Sequence, residues 1–303
     1  MTENIFNRPA YFGRVVTAMI TPFDEDGGVD YQQAGQLAIH LVEQGSDGIV
    51  VSGTTGESAT LNVDEKIRLF TAVKAAVGNR ASVLAGTGSY STADTIVLTH
   101  AAQGAGVDGV LVVTPYYNKP SQRGLYEHFK SVANASSLPV VLYNVPGRTG
   151  VNLEAGTCLA LAAVDNIVAV KEASKDLQQI GEIAAGSPPD FQIYSGDDAV
   201  TLPILSLGGV GVISVISHLI SAELQEMHQA FFRGDLAEAQ AIHLKTLALT
   251  RAMFAVPSPV PTKTALAMIG IIDSDSVRLP LVDATEIERS GILEAIQRYG
   301  LIG

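Results

Sequence analysis

The chain has 303 residues, 47% of them hydrophobic and 17% charged, enough for a large core and within the length that one α/β barrel fills. A formal net charge of −12 argues against nucleic acid as a partner, because phosphate binding needs a basic face. With a single cysteine, Cys158, no intramolecular disulfide can form, and a reducing, cytoplasmic setting is expected.

Read in chain order, the N-terminus carries Glu3, Asn4, Asn7 and Arg8 and has no apolar signal core. No later apolar run reaches the roughly 18 residues of a membrane span. Apolar runs then recur as strand candidates. They are Arg14–Ile20, Gly48–Gly53, Ser82–Gly88, Gly109–Pro115, Pro139–Pro146, Asn166–Ala173, Phe191–Asp198 and Gly211–Ser217. Between them lie amphipathic helical stretches such as DYQQAGQLAIHLVEQG, VDEKIRLFTAVKAAVG and STADTIVLTHAAQGAG, several ending in glycine as helices often do. Eight strand–helix units spaced roughly 20 to 35 residues apart predict a (β/α)₈ TIM barrel. A doubly wound sheet is the alternative, but GTGSYS (Gly86–Ser91) fails the dinucleotide fingerprint and no phosphate-cradling P-loop is present. The barrel is expected over residues 1–220. A helical C-terminal extension over residues 221–303 packs on it: Ala222 to about Met268, broken at Val256–Pro261, and a last helix near Glu286–Tyr299.

A barrel places its chemistry at the C-terminal ends of its strands. Those ends carry Thr21, GTTGE (Gly53–Glu57), Thr87, TPYYN (Thr114–Asn118), YNVPGRTG (Tyr143–Gly150), Lys171–Glu172, SGDD (Ser195–Asp198) and Ser217–His218. No histidine pair has metal-site spacing, so no metal is expected. The charged pair after the apolar run NIVAV stands out. Its plain reading is that the strand ends there and the ammonium reaches water. If instead Val168 and Val170 face the helices, Ala169 and Lys171 point into the barrel. A desolvated lysine has its pKa lowered from about 10.4, and its neutral amine can form a Schiff base with a carbonyl substrate. A proton carrier is then needed near the nitrogen. Tyr143, Thr54 and a tyrosine of the YY pair supply hydroxyls.

With GTTGESATLN, TPYYNKPSQRGLYEHF, YNVPGRTG, KEAS, YSGDD and GVISV in this order, the sequence resembles the dihydrodipicolinate synthase/N-acetylneuraminate lyase family of pyruvate-dependent aldolases. The resemblance spans nearly the whole chain. It implies that Lys171 forms the pyruvate Schiff base and that Tyr143 moves protons beside it. Thr54 would link Tyr143 to Tyr117, the latter reaching into a neighbouring subunit. It further implies that Thr55 holds the pyruvate carboxylate, that Gly196 and Ile213 line the site through their carbonyls, and that Arg148 binds the carboxylate of L-aspartate 4-semialdehyde. Arginine at 148 and GTTGE favour a synthase over a sialic-acid lyase. The implied reaction condenses pyruvate with the semialdehyde to 4-hydroxy-tetrahydrodipicolinate, on the route to diaminopimelate and lysine. It uses no metal or organic cofactor, and a homotetramer built as a dimer of dimers is implied.

In many relatives L-lysine inhibits from a pocket at the dimer interface. The matching positions are Ser58, Ala59, Val63, Lys66, Tyr90, Asp94 and Tyr116. Asp94 replaces a glutamate, Tyr90 an asparagine, and Val63 and Lys66 stand where bacterial members have histidines. Two other functions stay open: a related aldolase for a sugar acid (N-acetylneuraminate or 2-keto-3-deoxygluconate), or a non-catalytic small-molecule-binding barrel.

Overall fold

The computed structural model describes residues 9–302. The N-terminal segment judged free of a signal core lies mostly outside them. Eight strands, β1 (Val15–Ala18), β2 (Gly48–Val51), β3 (Ser82–Gly86), β4 (Gly109–Val113), β5 (Val140–Asn144), β6 (Ile167–Glu172), β7 (Gln192–Ser195) and β8 (Gly211–Ser214), pair in sequence order. β8 closes on β1, and the sheet is a parallel barrel throughout. Each predicted run contains one of these strands, shorter at its ends. Unbroken apolar composition is what a strand buried on both faces needs.

Helices α1 (Tyr31–Glu43), α2 (Val63–Val77), α3 (Thr92–Gly104), α4 (Gln122–Asn134), α5 (Pro146–Thr149), α6 (Ala155–Leu161), α7 (Leu177–Gly186) and α8 (Thr201–Ser206) follow the first seven strands. Their starts are chemically specified: the side chains of Asp30, Asn62, Ser91, Ser121 and Asp176 each accept a hydrogen bond from a backbone N–H of the first turn. The floor of the barrel is plugged by Phe12, whose backbone N–H donates to the Tyr194 hydroxyl at 3.1 Å. Gly109 permits this, because a Cβ there would stand 2.8 Å from the Phe12 ring.

Strand β6 corrects one expectation. Val140 pairs with Ile167 but Val141 pairs with Ala169, so the register slips by one at Val168. Ile167 and Val170 face the helices. Val168 packs instead on the interior cluster that contains Ala169. A bulge puts two neighbouring residues on one side of a strand. Alternation resumes at Ala169, and Lys171 does point inward.

After β8 come α9 (Ser217–Phe232), α10 (Leu236–Met253), α11 (Val260–Met268) and α12 (Glu286–Tyr299). Helix α9 starts before Ala222 and bends at Ile220, where φ −142° and ψ 36° are not helical. It packs on β1 and α1, in the place of the barrel's eighth helix. The long helical stretch also has a break that was not predicted, at Gly234 (φ 89°). There Asp235 caps the next helix by accepting from the Glu238 N–H. No helix among the described residues is long and apolar enough to cross a membrane.

Candidate active site

Lys171 and Glu172 end β6 facing opposite ways. Lys171 stands in register between Tyr143 of β5 and Tyr194 of β7 and is 6% exposed. Its Nζ lies 4.3 Å from the centroid of the Tyr143 ring. Burial lowers its pKa from 10.5 to about 8, opposed by the negative charge of Asp198 and reinforced by Arg148. Part of the amine is therefore neutral at physiological pH, and the neutral form is the nucleophile. Glu172 takes the outer face. Its carboxylate accepts from Asn144 Nδ2 (3.1 and 3.2 Å), Gln179 Nε2 (3.2 Å) and the Ser174 N–H (2.8 Å). That residue ties the turn after β6 to β5 and α7 and faces away from Lys171.

Tyr143 is buried, which raises its phenol pKa, while Arg148 and a hydrogen bond with Thr54 pull the other way. The phenol thus stays protonated over the neutral range, with one hydroxyl neighbour already in place. Thr54 and the buried Thr55 follow β2, and Arg148 sits in the one-turn helix α5. A cavity of about 340 Å³ opens at this mouth, and its wall includes Thr54, Tyr143 and Arg148. Thr55, Lys171, Gly196 and Ile213 are not on that wall, which Lys171 meets through the Tyr143 ring. Gly196 lies against the lysine stem, since a Cβ there would be 3.1 Å from Lys171 Cγ and 2.8 Å from Ala173 Cβ. Ile213, on β8, belongs to the interior cluster.

Tyr117 is the site residue that the single chain leaves apart. It is 91% exposed and has a left-handed backbone, φ 73°, a conformation that side-chain-bearing residues seldom adopt without a reason. Of the set matched to lysine inhibition, Ser58, Ala59 and Tyr116 share the cavity wall. Tyr90 packs edge-on to Tyr116, centroids 5.5 Å apart. Burial, and Tyr90 after it, push the Tyr116 pKa up. Lys66, whose pKa burial lowers, and exposed Val63 stand in the first turn of α2, and Asp94 in the first turn of α3. Helix N-termini in this fold lie on the side of the strand C-termini, so all seven share the rim.

Two groups were passed over within motifs that had been noticed. Asp198, the last residue of SGDD, is buried and accepts from Ser214 Oγ (2.5 Å) and the N–H groups of Val215 (3.0 Å) and Ile216 (3.3 Å). It is also the negative charge that most supports the Lys171 ammonium. An acid repeated at a strand end was the available signal. His218 is structural: Nδ1 bonds the Val215 carbonyl at 2.7 Å and Nε2 accepts from the Ile20 N–H at 3.1 Å. Burial holds its pKa at about 4, so it stays a neutral tie between β8 and β1.

A closed (β/α)₈ barrel with a desolvated amine at its mouth, a phenol against it and an arginine at the rim defines a carbonyl-capturing lyase type of site. The comparisons with known proteins narrow this class. Residues 11–299 match the model of the dihydrodipicolinate synthetase family, and the chain belongs to that family. It is 52% identical to the 4-hydroxy-tetrahydrodipicolinate synthase of Moorella thermoacetica, over 96% of this chain and 99% of that one. A crystal structure of DHDPS from Cyanidioschyzon merolae with lysine bound superposes with a TM-score of 0.94 at 49% identity, over 96% and 99% of the two chains. The chloride inhibited dihydrodipicolinate synthase from Acinetobacter baumannii, complexed with pyruvate, gives 0.93 at 37% identity, over 96% and 100%.

Proposed function

We propose that this protein condenses pyruvate with L-aspartate 4-semialdehyde to give 4-hydroxy-tetrahydrodipicolinate. The observation that carries the reading is the buried Lys171 amine, with a pKa of about 8, set against the Tyr143 ring. The amine adds to the pyruvate ketone, and loss of water gives an imine. Loss of a methyl proton then gives the enamine. Its carbon attacks the aldehyde, Tyr143 returning a proton to the new alkoxide through the Thr54 hydroxyl. The amine of the second substrate next attacks the imine carbon, closes the ring and expels Lys171. Thr55 would hold the pyruvate carboxylate, and the carbonyls of Gly196 and Ile213 would border the bound keto acid. Arg148 would fork onto the semialdehyde carboxylate, for which a guanidinium is suited.

Tyr117 supports an assembly. An exposed phenol on a left-handed backbone fits an arm that completes the site of a second copy, in a homotetramer built as a dimer of dimers. Borohydride reduction in the presence of pyruvate should trap a stable adduct on Lys171, read as a mass shift. No adduct would mean a non-catalytic barrel. Arg148→Ala should reduce kcat/KM for the semialdehyde by about a hundredfold, the loss of a charge-assisted contact, and change the KM for pyruvate little. Efficient cleavage of N-acetylneuraminate or 2-keto-3-deoxygluconate would replace the assignment with that of a sugar-acid aldolase.

The Cyanidioschyzon merolae relative binds lysine, and in this chain Tyr116 links the mouth cavity to Tyr90. L-lysine is therefore expected to inhibit from this rim, with Asp94 accepting its ammonium. A rate unchanged by millimolar L-lysine would exclude such control.

A further inference from the structure

The catalytic reading uses one buried lysine, and the chain buries a second. Lys263, on α11 of the extension, is 0% exposed. Its Nζ lies 2.6 Å from Oε1 of Glu57, a side chain only 1% exposed. The same Nζ donates to the Ser276 carbonyl at 2.7 Å and stands 3.9 Å from the centroid of the Phe23 ring. Glu57 Oε2 accepts from the Arg278 N–H at 3.0 Å. The Arg278 guanidinium in turn donates to the carbonyls of Gly27 and Thr60 and to Glu65. An amine–carboxylate pair has thus been taken out of water where an apolar pair would pack at least as stably, because desolvation consumes most of the attraction. Stability alone is a poor reason for them.

Their location supplies a better one. Glu57 is the last residue of GTTGE, three positions after Thr54 and two after Thr55. Its backbone is left-handed, φ 54°, as is that of Ser52 at the other end of the turn, φ 56°. Neither is glycine, so both conformations persist only where the surroundings impose them. Local hydrogen bonds fold the turn on itself: the Glu57 N–H donates to the Thr54 carbonyl (3.1 Å) and the Ser58 N–H to that of Gly53 (3.2 Å). Thr21 Oγ1 fastens it to β1's end through the Gly56 carbonyl at 2.7 Å. Glu57 reaches the extension from this turn, and the same cavity wall joins Thr54, Glu57 and Tyr143 to Ser258 and Leu281 of the extension.

We infer that Glu57 and Lys263 are positioning residues. Their buried pair moors the Thr54–Thr55 turn to the C-terminal helices and so sets the Thr54 hydroxyl against the Tyr143 phenol. This rests on the proposed chemistry at Lys171. The extension is then part of the catalytic geometry, acting through a turn it holds from behind.

The test compares Glu57→Gln, Lys263→Met and the double variant with wild type in thermal midpoint, kcat, KM for pyruvate and rate of borohydride trapping. Each single change strands a cation or an anion without its partner, and should lower the midpoint. The double variant removes both charges and should recover most of it. Its kcat should nonetheless stay about tenfold to a hundredfold below wild type, the range that a displacement of about 1 Å costs a catalytic group. Should the single variants fail to fold, the double variant decides alone. Wild-type kcat in the double variant, or a kcat that follows the midpoint across all three, would overturn the inference. Trapping separates the two readings: no adduct in wild type defeats the proposed chemistry, whereas normal trapping and turnover in every variant defeats the mooring only.

Discussion

Lys171→Met is expected to abolish turnover, by about 10⁴-fold or more, the scale of losing a covalent nucleophile, and to leave a folded and more stable barrel. Methionine fills a similar volume without an amine. Asp198, the buried carboxylate that loses its cation, keeps three hydrogen bonds from the end of β8. The stability gain follows from proton linkage. Burial lowers the folded-state pKa from 10.5 to about 8, so the unfolded chain binds the proton more tightly. Below about pH 8 the charged amine therefore weakens the fold by the full difference, on the order of 3 kcal/mol at about 1.4 kcal/mol per unit. That cost fades as pH rises from the folded-state value toward the unfolded one. Thermal melts should show the variant above wild type at pH 7, with the gap closing by pH 10. In wild type, the rate of adduct formation with pyruvate should rise about tenfold per pH unit below pH 8 and level off above it. A methionine variant less stable than wild type at pH 7, or one within about a hundredfold of its turnover, would contradict a desolvated nucleophile.

What the sequence disclosed of this site, and what it concealed, divides along physical lines. Strand composition is local. An apolar run such as GVLVV of β4 can be buried on both faces only in a covered parallel sheet, so eight such runs alternating with capped amphipathic helices leave few architectures. Alternation along β6 then pointed Lys171 inward. It misjudged Val168 because a bulge depends on the partner strand's register and leaves no fixed residue type behind. The break before α10 was missed for a different reason: RGD is short, and helical composition resumes at once on both sides. Contacts that join distant segments were the least visible. Glu57 is a motif residue and Lys263 a lysine in an Ala-rich helix until the fold brings them within 2.6 Å. Tyr117 is a further step removed, since among the described residues it stands 91% exposed.

Tyr143→Phe should reduce kcat by about 10² to 10³-fold, the range for a positioned acid–base group, and leave the KM for pyruvate nearly unchanged. Phenylalanine keeps the ring that packs against Lys171, so the amine retains its burial and its capacity to condense. Only the hydroxyl is lost, together with its hydrogen bond to Thr54. Because burial raises the Tyr143 pKa, the wild-type phenol remains a proton donor well above neutrality, and any alkaline decline in rate that it causes should vanish in the variant. Borohydride should still trap the pyruvate adduct, more slowly, since imine formation also sheds water with help from a proton donor. Thr54→Val should give a smaller fall of the same pattern, about tenfold, because the threonine relays a proton that Tyr143 carries. If both changes leave kcat intact and raise only the KM for pyruvate, the two hydroxyls bind substrate without moving protons. The relay would then have to be sought elsewhere on the rim.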